Sequence, residues 1–182
     1  MTYEEKINQL LETPRIYWLE LDFISNNVAG LIDLCKKYIK KSDHVVEHGS
    51  FSGVSSRVLS LHCEKLHCID PWPVGLQQGG SMNPESMFDE ILVDYPNITK
   101  FKSTGAEAAK SYEDHSLDFV YIDGDHSYAA VINDINTWKS KIKKGGYIAG
   151  HDSHMYGVLK AVREHLGEPI EIFNDTSWIF QL

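Results

Sequence analysis

Basic residues are in short supply. The chain carries 17 Lys and Arg against 26 Asp and Glu, a formal net charge of −9 over 182 residues, and no stretch gathers Lys and Arg into a phosphate-neutralising patch. Nucleic acid and anionic membrane are therefore not expected as partners. Long apolar runs are missing as well, so no segment reads as a membrane span. The opening MTYEEKINQLLETPRIY places acids where a signal peptide would be basic and then apolar. The expected location is cytoplasmic. Cysteine is scarce too, and the odd number Cys35, Cys63 and Cys68 reads as reduced thiols in a chain without an export signal. A zinc site built from HCEKLHC would need His67 and Cys68 to converge, yet they fall on a strand pattern whose neighbours point to opposite faces. Internal repeats, low-complexity tracts and linkers are absent, and the length suits one domain with a sizeable core rather than two.

What is present is a change of pattern along the chain. Residues 1–42 hold two helical patterns, around EEKINQLLE and VAGLIDLCKKYIK, separated by the aromatic stretch RIYWLELDF. From residue 43 to 182 short β-rich runs alternate with amphipathic ones: HVVEHG, VSSRVLSLH, KLHCID, PESMFDEILVDY, ITKFKS, GAEAAKSY, LDFVYID, SYAAVINDINTWKSKI, GGYIAGH and GVLKAVREHLG. PIEIF and SWIFQL follow, joined by NDT as a hairpin turn. Five strand–helix repeats predict an α/β domain, a doubly wound and mostly parallel sheet with helices on both faces, Rossmann-like, to which the hairpin adds an antiparallel strand. The one long irregular stretch, PWPVGLQQGGSMNPE, has the length of either a functional lid or a plain surface excursion.

Ligands in such folds bind beyond the carboxyl ends of the strands, beside the first one. VVEHGSFSGVSSRVL, residues 45 to 59, sits at that rim. Gly49 and Gly53 suit a strand-to-helix turn that needs positive φ or close approach of a ligand, with Ser50 and Phe51 between them. A dinucleotide site would want glycine where Glu47 stands, because a carboxylate there repels a pyrophosphate. It would instead attract a cation, which points to a nucleoside carrying positive charge. S-adenosylmethionine, with its sulfonium and ammonium, meets that description. Asp70 closes the second strand 21 residues after Gly49, placed either to bond the ribose hydroxyls or to cap the turn. Pro71 and Trp72 offer an apolar wall for the adenine, or simple packing. After the third strand, Thr104, Gly105 and Ala106 start a helix whose first N–H groups can read the adenine edge.

These residues, with LDFVYIDGDHSY and GGYIAGHD, resemble a class I S-adenosylmethionine-dependent methyltransferase, and more narrowly the small O-methyltransferase-like branch with a D-G-D-H-S-Y signature. The resemblance covers roughly residues 43 to 182. It implies a seven-stranded sheet in the order 3-2-1-4-5-7-6 with strand 7 antiparallel. His48 departs from the apolar residue usual at its place, and its side chain is expected to face away from Glu47.

Asp123 closes the fourth strand, and His151 and Asp152 close the fifth. With Asp125, His126 and His154 they concentrate carboxylates and imidazoles on the crevice that Gly49 faces. Three readings stand side by side. In the first, a divalent metal, Mg or Mn, is held by Asp123, Asp152 and His151 and lowers the pKa of a substrate hydroxyl. Metal-dependent catechol-type O-methyltransferases, which this region resembles, carry ligands at these strand ends, though with an acid where His151 stands. In the second, His126 or His151 is the general base, with Asp123 part of the catalytic set. In the third, DGDHS is only a turn that caps the next helix. The expected acceptor is a neutral hydroxylated small molecule, a sugar or a secondary metabolite. Tyr17, Trp18 and the loop from Trp72 to Pro84 are read as its cover, or equally as packing or a homodimer interface. The rival classes are a cofactor-binding protein without transfer activity and a metal-dependent hydrolase using the same His/Asp cluster.

Overall fold

A computed structural model describes residues 1–12, 28–72 and 83–182. Tyr17, Trp18 and most of the loop after Trp72 lie outside the described residues. Two helices, α1 (Tyr3–Glu12) and α2 (Ala29–Tyr38), precede the sheet. Then come β1 (His44–His48), α3 (Val54–His62), β2 (Lys65–Asp70), α4 (Pro84–Ile91), β3 (Ile98–Lys102), α5 (Gly105–Ala109), β4 (Leu117–Ile122), α6 (Tyr128–Lys139), β5 (Ile142–Gly150), α7 (Tyr156–His165), β6 (Glu171–Ile172) and β7 (Trp178–Gln181).

The seven strands lie in the order β3-β2-β1-β4-β5-β7-β6. The first five are parallel, and β7 runs antiparallel to both β5 and β6. The antiparallel strand is therefore one place in from the edge, and the short β6 forms the edge itself. Parallel strands need both faces covered, and the strand periodicity divides the apolar residues accordingly. Val45, Leu66, Cys68, Phe119 and Tyr121 pack beneath α1 to α4. Val46, Ile69, Val120, Ile148 and Trp138 form the second core beneath α5 to α7. The same alternation sends Glu47 to the first face and His48 to the second, as the sequence leads one to expect.

One boundary differs from the sequence pattern. SYAAVINDINTWKSKI reads as helical through Ile142, but α6 stops at Lys139 and Ile142 opens β5. The pairing of β4 with β5 shifts register between Leu117 and Phe119. Gly145, at φ +82, absorbs that irregularity, so the strand continues on both sides of it. The HCEKLHC segment holds no metal cluster among the described residues. Cys63 and Cys68 are buried free thiols, and His67 turns to the opposite face, against His44 and Tyr112.

Candidate active site at the carboxyl ends of the strands

The loops that leave the strands are stitched into one row by backbone hydrogen bonds. Gly49 N donates to Ile69 O (2.8 Å), Ser103 N to Asp70 O (3.0 Å), Asp123 N to His48 O (2.8 Å) and His151 N to Ile122 O (3.2 Å). These bonds extend the ladder past the strand ends and fix the crevice floor. Phe51, Trp72 and Asp152, with φ of 45°, 37° and 59°, stand in these loops in a conformation that side chains other than glycine rarely adopt. Backbone strain of that kind gathers at sites of function and persists only where surrounding bonds over-determine it.

Gly49 is at φ +96, and a Cβ there would lie 2.1 Å from the carbonyl oxygen of Asp123. Any other residue would push apart the ends of β1 and β4. Gly53 is the left-handed N-cap of α3. Below this turn Glu47 is fully buried. One carboxylate oxygen accepts a hydrogen bond from Ser56 Oγ, while Oε1 has no partner and neither does the buried hydroxyl of Ser50. Burial pushes the Glu47 carboxyl up, against the neighbouring hydroxyls of Ser55, Ser56 and Ser50, whose dipoles favour its charge. The acid thus lies beneath the turn rather than on its surface.

Asp70 accepts N–H bonds from Phe51 (3.0 Å) and Trp72 (2.7 Å), one on each oxygen. It caps the turn, and each oxygen keeps a second lone pair for a ligand hydroxyl. Of the two readings of Trp72, the packing one holds. Its indole is only 4% exposed, packs on Phe88 with centroids 4.9 Å apart, lies under Lys100 Nζ and donates to Phe51 O. So large an apolar ring is worth more inside than as an open wall, and of the expected adenine wall only Pro71 remains exposed. Thr104 caps α5 by accepting from Glu107 N, and Ala106 is exposed beside it. Gly105 is pressed on the ring of His48, 2.6 Å from where a Cβ would stand.

His48 belongs to a group that the sequence did not announce. Trp138 Nε1 donates to its Nδ1 at 3.3 Å, and Asp134 Oδ2 lies 3.6 Å from the same nitrogen. Burial pushes His48 down to about 4 and Asp134 up to about 7. Between those values both are uncharged, so the contact is a polar packing pair and not an ion pair. An His, an Asp and a Trp separated by up to 90 residues leave no sequence signal.

At the ends of β4 and β5 the structure brings Asp123, His126 and Asp152 together, with one ligand atom of each within 4.8 Å of the others. His126 Nε2 is 3.0 Å from Asp152 Oδ2 and 3.5 Å from Asp123 Oδ1. Hydrogen bonds with Asp123 and Asp152 hold the imidazole proton up to about 10, despite partial burial. Burial works against the charge of Asp152, but bonds from His126 and His151 outweigh it and hold that carboxyl well below the usual range. His151, expected among the metal ligands, is instead buried behind Asp152, its Nδ1 3.3 Å from Asp152 Oδ2. His126 rather than His151 joins the two carboxylates, with Asp152 at positive φ reaching across to it. The capping reading of DGDHS also holds for part of the motif. Asp125 accepts from Ser127 N and Ser127 from Ala130 N, which leaves Asp123 and His126 to the cluster.

A family model described as a methyltransferase domain matches residues 46–153, more than half of the chain. An uncharacterised protein of Acanthamoeba polyphaga mimivirus is 45% identical over 159 residues, covering 80% of this chain and 71% of that one. Among solved structures, a tRNA methyltransferase from Aquifex aeolicus superposes with a TM-score of 0.63 at 14% identity, over 91% of this chain and 59% of that one. The Streptococcus mutans protein SMU.1697c, in complex with SAH, gives 0.59 at 13% identity, over 84% and 96%. No helix among the described residues is long and apolar enough to cross a membrane. The sheet order supplies the fold and the family match supplies the chemistry: the chain belongs to the methyltransferase-domain family and is a class I, S-adenosylmethionine-dependent methyltransferase.

Proposed function

We propose that this methyltransferase acts on oxygen, methylating a hydroxylated small molecule such as a sugar or a secondary metabolite. The observation that carries this reading is the convergence of two carboxylates and an imidazole beside the Gly49 turn, where an acceptor hydroxyl would have to lose its proton.

The residues present fit the methyl donor. Glu47 Oε1 and Ser50 Oγ are buried polar atoms without partners beneath the glycine turn, and an ammonium group or a bridging water would satisfy them. Asp70 retains lone pairs for ribose hydroxyls, and Thr104 to Ala106 present the start of α5 to the adenine. The Streptococcus mutans relative in fold is in complex with SAH, which supports the same cofactor. When bound, the donor supplies a methyl carbon made electrophilic by its sulfonium. The strand ends hold the two sites at a fixed spacing, and in-line displacement depends chiefly on such alignment.

The donor set of one imidazole nitrogen and two carboxylate oxygens fits a divalent metal that accepts nitrogen, manganese rather than magnesium. Asp123, His126 and Asp152 would hold it, and it would supply Lewis acidity toward a hydroxyl. His151 orients the Asp152 carboxylate from behind. Without a metal, His126 keeps its proton near neutral pH and has no lone pair for a substrate proton, which counts against an unaided His126 base. The hydrolase alternative loses its ground with the family match.

Calorimetry with S-adenosylmethionine, with and without Mn²⁺, followed by a screen of hydroxylated acceptors, tests the proposal. A strong chelator and Asp152→Asn are each expected to abolish turnover while cofactor affinity stays nearly intact. Turnover indifferent to the chelator would remove the metal. Cofactor bound with no methylated product from any hydroxylated acceptor would leave a binding protein instead.

A further inference from the structure

Close in sequence to the Asp123, His126 and Asp152 cluster, two large apolar side chains are exposed. Tyr156, the first residue of α7, is 81% exposed, and Met155 before it is 38% exposed. Their backbone is well held. Met155 N donates to Asp152 O at 2.9 Å, so the chain turns back directly after Asp152. Gly157 then abuts the start of α6, where a Cβ would lie 3.4 Å from Tyr128 N and 3.6 Å from His126 O. Tyr156 therefore stands where the loop carrying His126 meets the loop carrying Asp152.

The other aromatic at this junction is already committed. Tyr128 donates its hydroxyl to Glu164, and Lys160 Nζ lies 4.7 Å from the centre of its ring. Tyr156 has no hydrogen bond or ring contact among the described residues. A rigid aromatic left in water next to a reaction centre is an unfilled contact surface, since stacking it costs little conformational entropy and removes apolar area from water. Charge bears on what fills it. Lys160, one turn along the same helix, is shared between Tyr128 and Glu164. That lysine is not free to hold an anionic acceptor.

We propose that Tyr156, with Met155 beside it, is the acceptor platform: it takes the flat face of an uncharged, ring-bearing, hydroxylated molecule and presents one hydroxyl to the Asp123, His126 and Asp152 cluster. The inference rests on the O-methyltransferase reading for which atom reacts. A sugar C–H face and an aromatic π face share the required chemistry.

The test separates binding from transfer. Affinities of methyl glucoside, catechol and the open-chain control glycerol are measured by ligand-observed NMR on the protein saturated with S-adenosylhomocysteine. At least one ring probe is expected to bind more tightly than glycerol; which one decides between sugar and aromatic. Tyr156→Ala should weaken it by about three- to tenfold, and Tyr156→Phe should restore it. Equal binding of rings and glycerol, no ring binding at all, or equal affinity in wild type and Tyr156→Ala would each overturn the platform. Transfer is read separately as product formed from S-adenosylmethionine. Ring binding that depends on Tyr156, without any methylated product, would overturn the O-methyltransferase reading and leave the platform standing.

Discussion

At the scale of single residues, the crevice is built from acids whose surroundings assign them different tasks. Asp70 is held by two backbone N–H groups and is proposed to bond the ribose, so Asp70→Ala is expected to cost roughly 1 to 3 kcal/mol of cofactor binding. Unchanged affinity in calorimetry would show that the residue only caps its turn. Asp134 makes a different prediction. Its folded carboxyl is raised from 3.8 to about 7, so the protonated form is favoured in the fold. That contribution is present below about pH 4 and is lost as pH rises through about 7, above which a buried carboxylate is a cost. His48 runs the other way, lowered from 6.5 to about 4. Its contribution is present above 6.5 and is lost as pH falls through 4. Asp134→Asn should therefore gain thermal stability relative to wild type between pH 5 and pH 8, and a difference that does not change with pH would refute the assignment. Glu47, Gly49, Gly53 and Asp70 are legible in the sequence because each answers a local demand of a strand-to-helix turn. Trp72 stays open in the sequence between an adenine wall and packing, since nothing local tells whether an indole turns outward or onto Phe88.

At the scale of elements, the hairpin turn between β6 and β7 does more than reverse the chain. Asp175 is fully buried and accepts from Leu31 N at 2.6 Å and Ser177 N at 3.0 Å. It thereby caps the start of α2 from 144 residues away. The next residue, Thr176, receives both the N–H and the hydroxyl of Ser153 on its carbonyl, and Trp178 Nε1 donates to His151 O. The hairpin thus braces the strained loop around Asp152 and ties it to α2. Asp175→Ala would leave two buried N–H groups without an acceptor, at roughly 1 to 3 kcal/mol each. Urea unfolding should show a loss on that order together with reduced turnover. A variant as stable as wild type would mean that water replaces the carboxylate. The sequence marks NDT as a turn from its residue types alone; what the turn grips depends on α2 and β5 arriving beside it.

At the scale of the whole molecule, a parallel sheet covered on both faces leaves its strand ends as the place where remote segments meet. Cofactor held there binds only the folded chain. S-adenosylhomocysteine at about a hundred times its dissociation constant should add about 2.7 kcal/mol of stability. For a domain of this length that is a rise of roughly 5 to 10 °C in Tm, smaller in Asp70→Ala at the same concentration. No shift on saturation would contradict the placement of the site. The alternation of apolar runs, the glycine turn after β1 and the acids at the ends of β2, β4 and β5 were determined by the sequence itself, because periodicity, positive φ and turn chemistry are properties of neighbouring residues. Only the tertiary structure decided that His126 and not His151 completes the cluster with Asp123 and Asp152, and that His48 shelters with Asp134 and Trp138. Those contacts join residues far apart in the chain, and they depend on the pairing of β4 with β5 and on the backbone twist at Asp152, which no local pattern encodes.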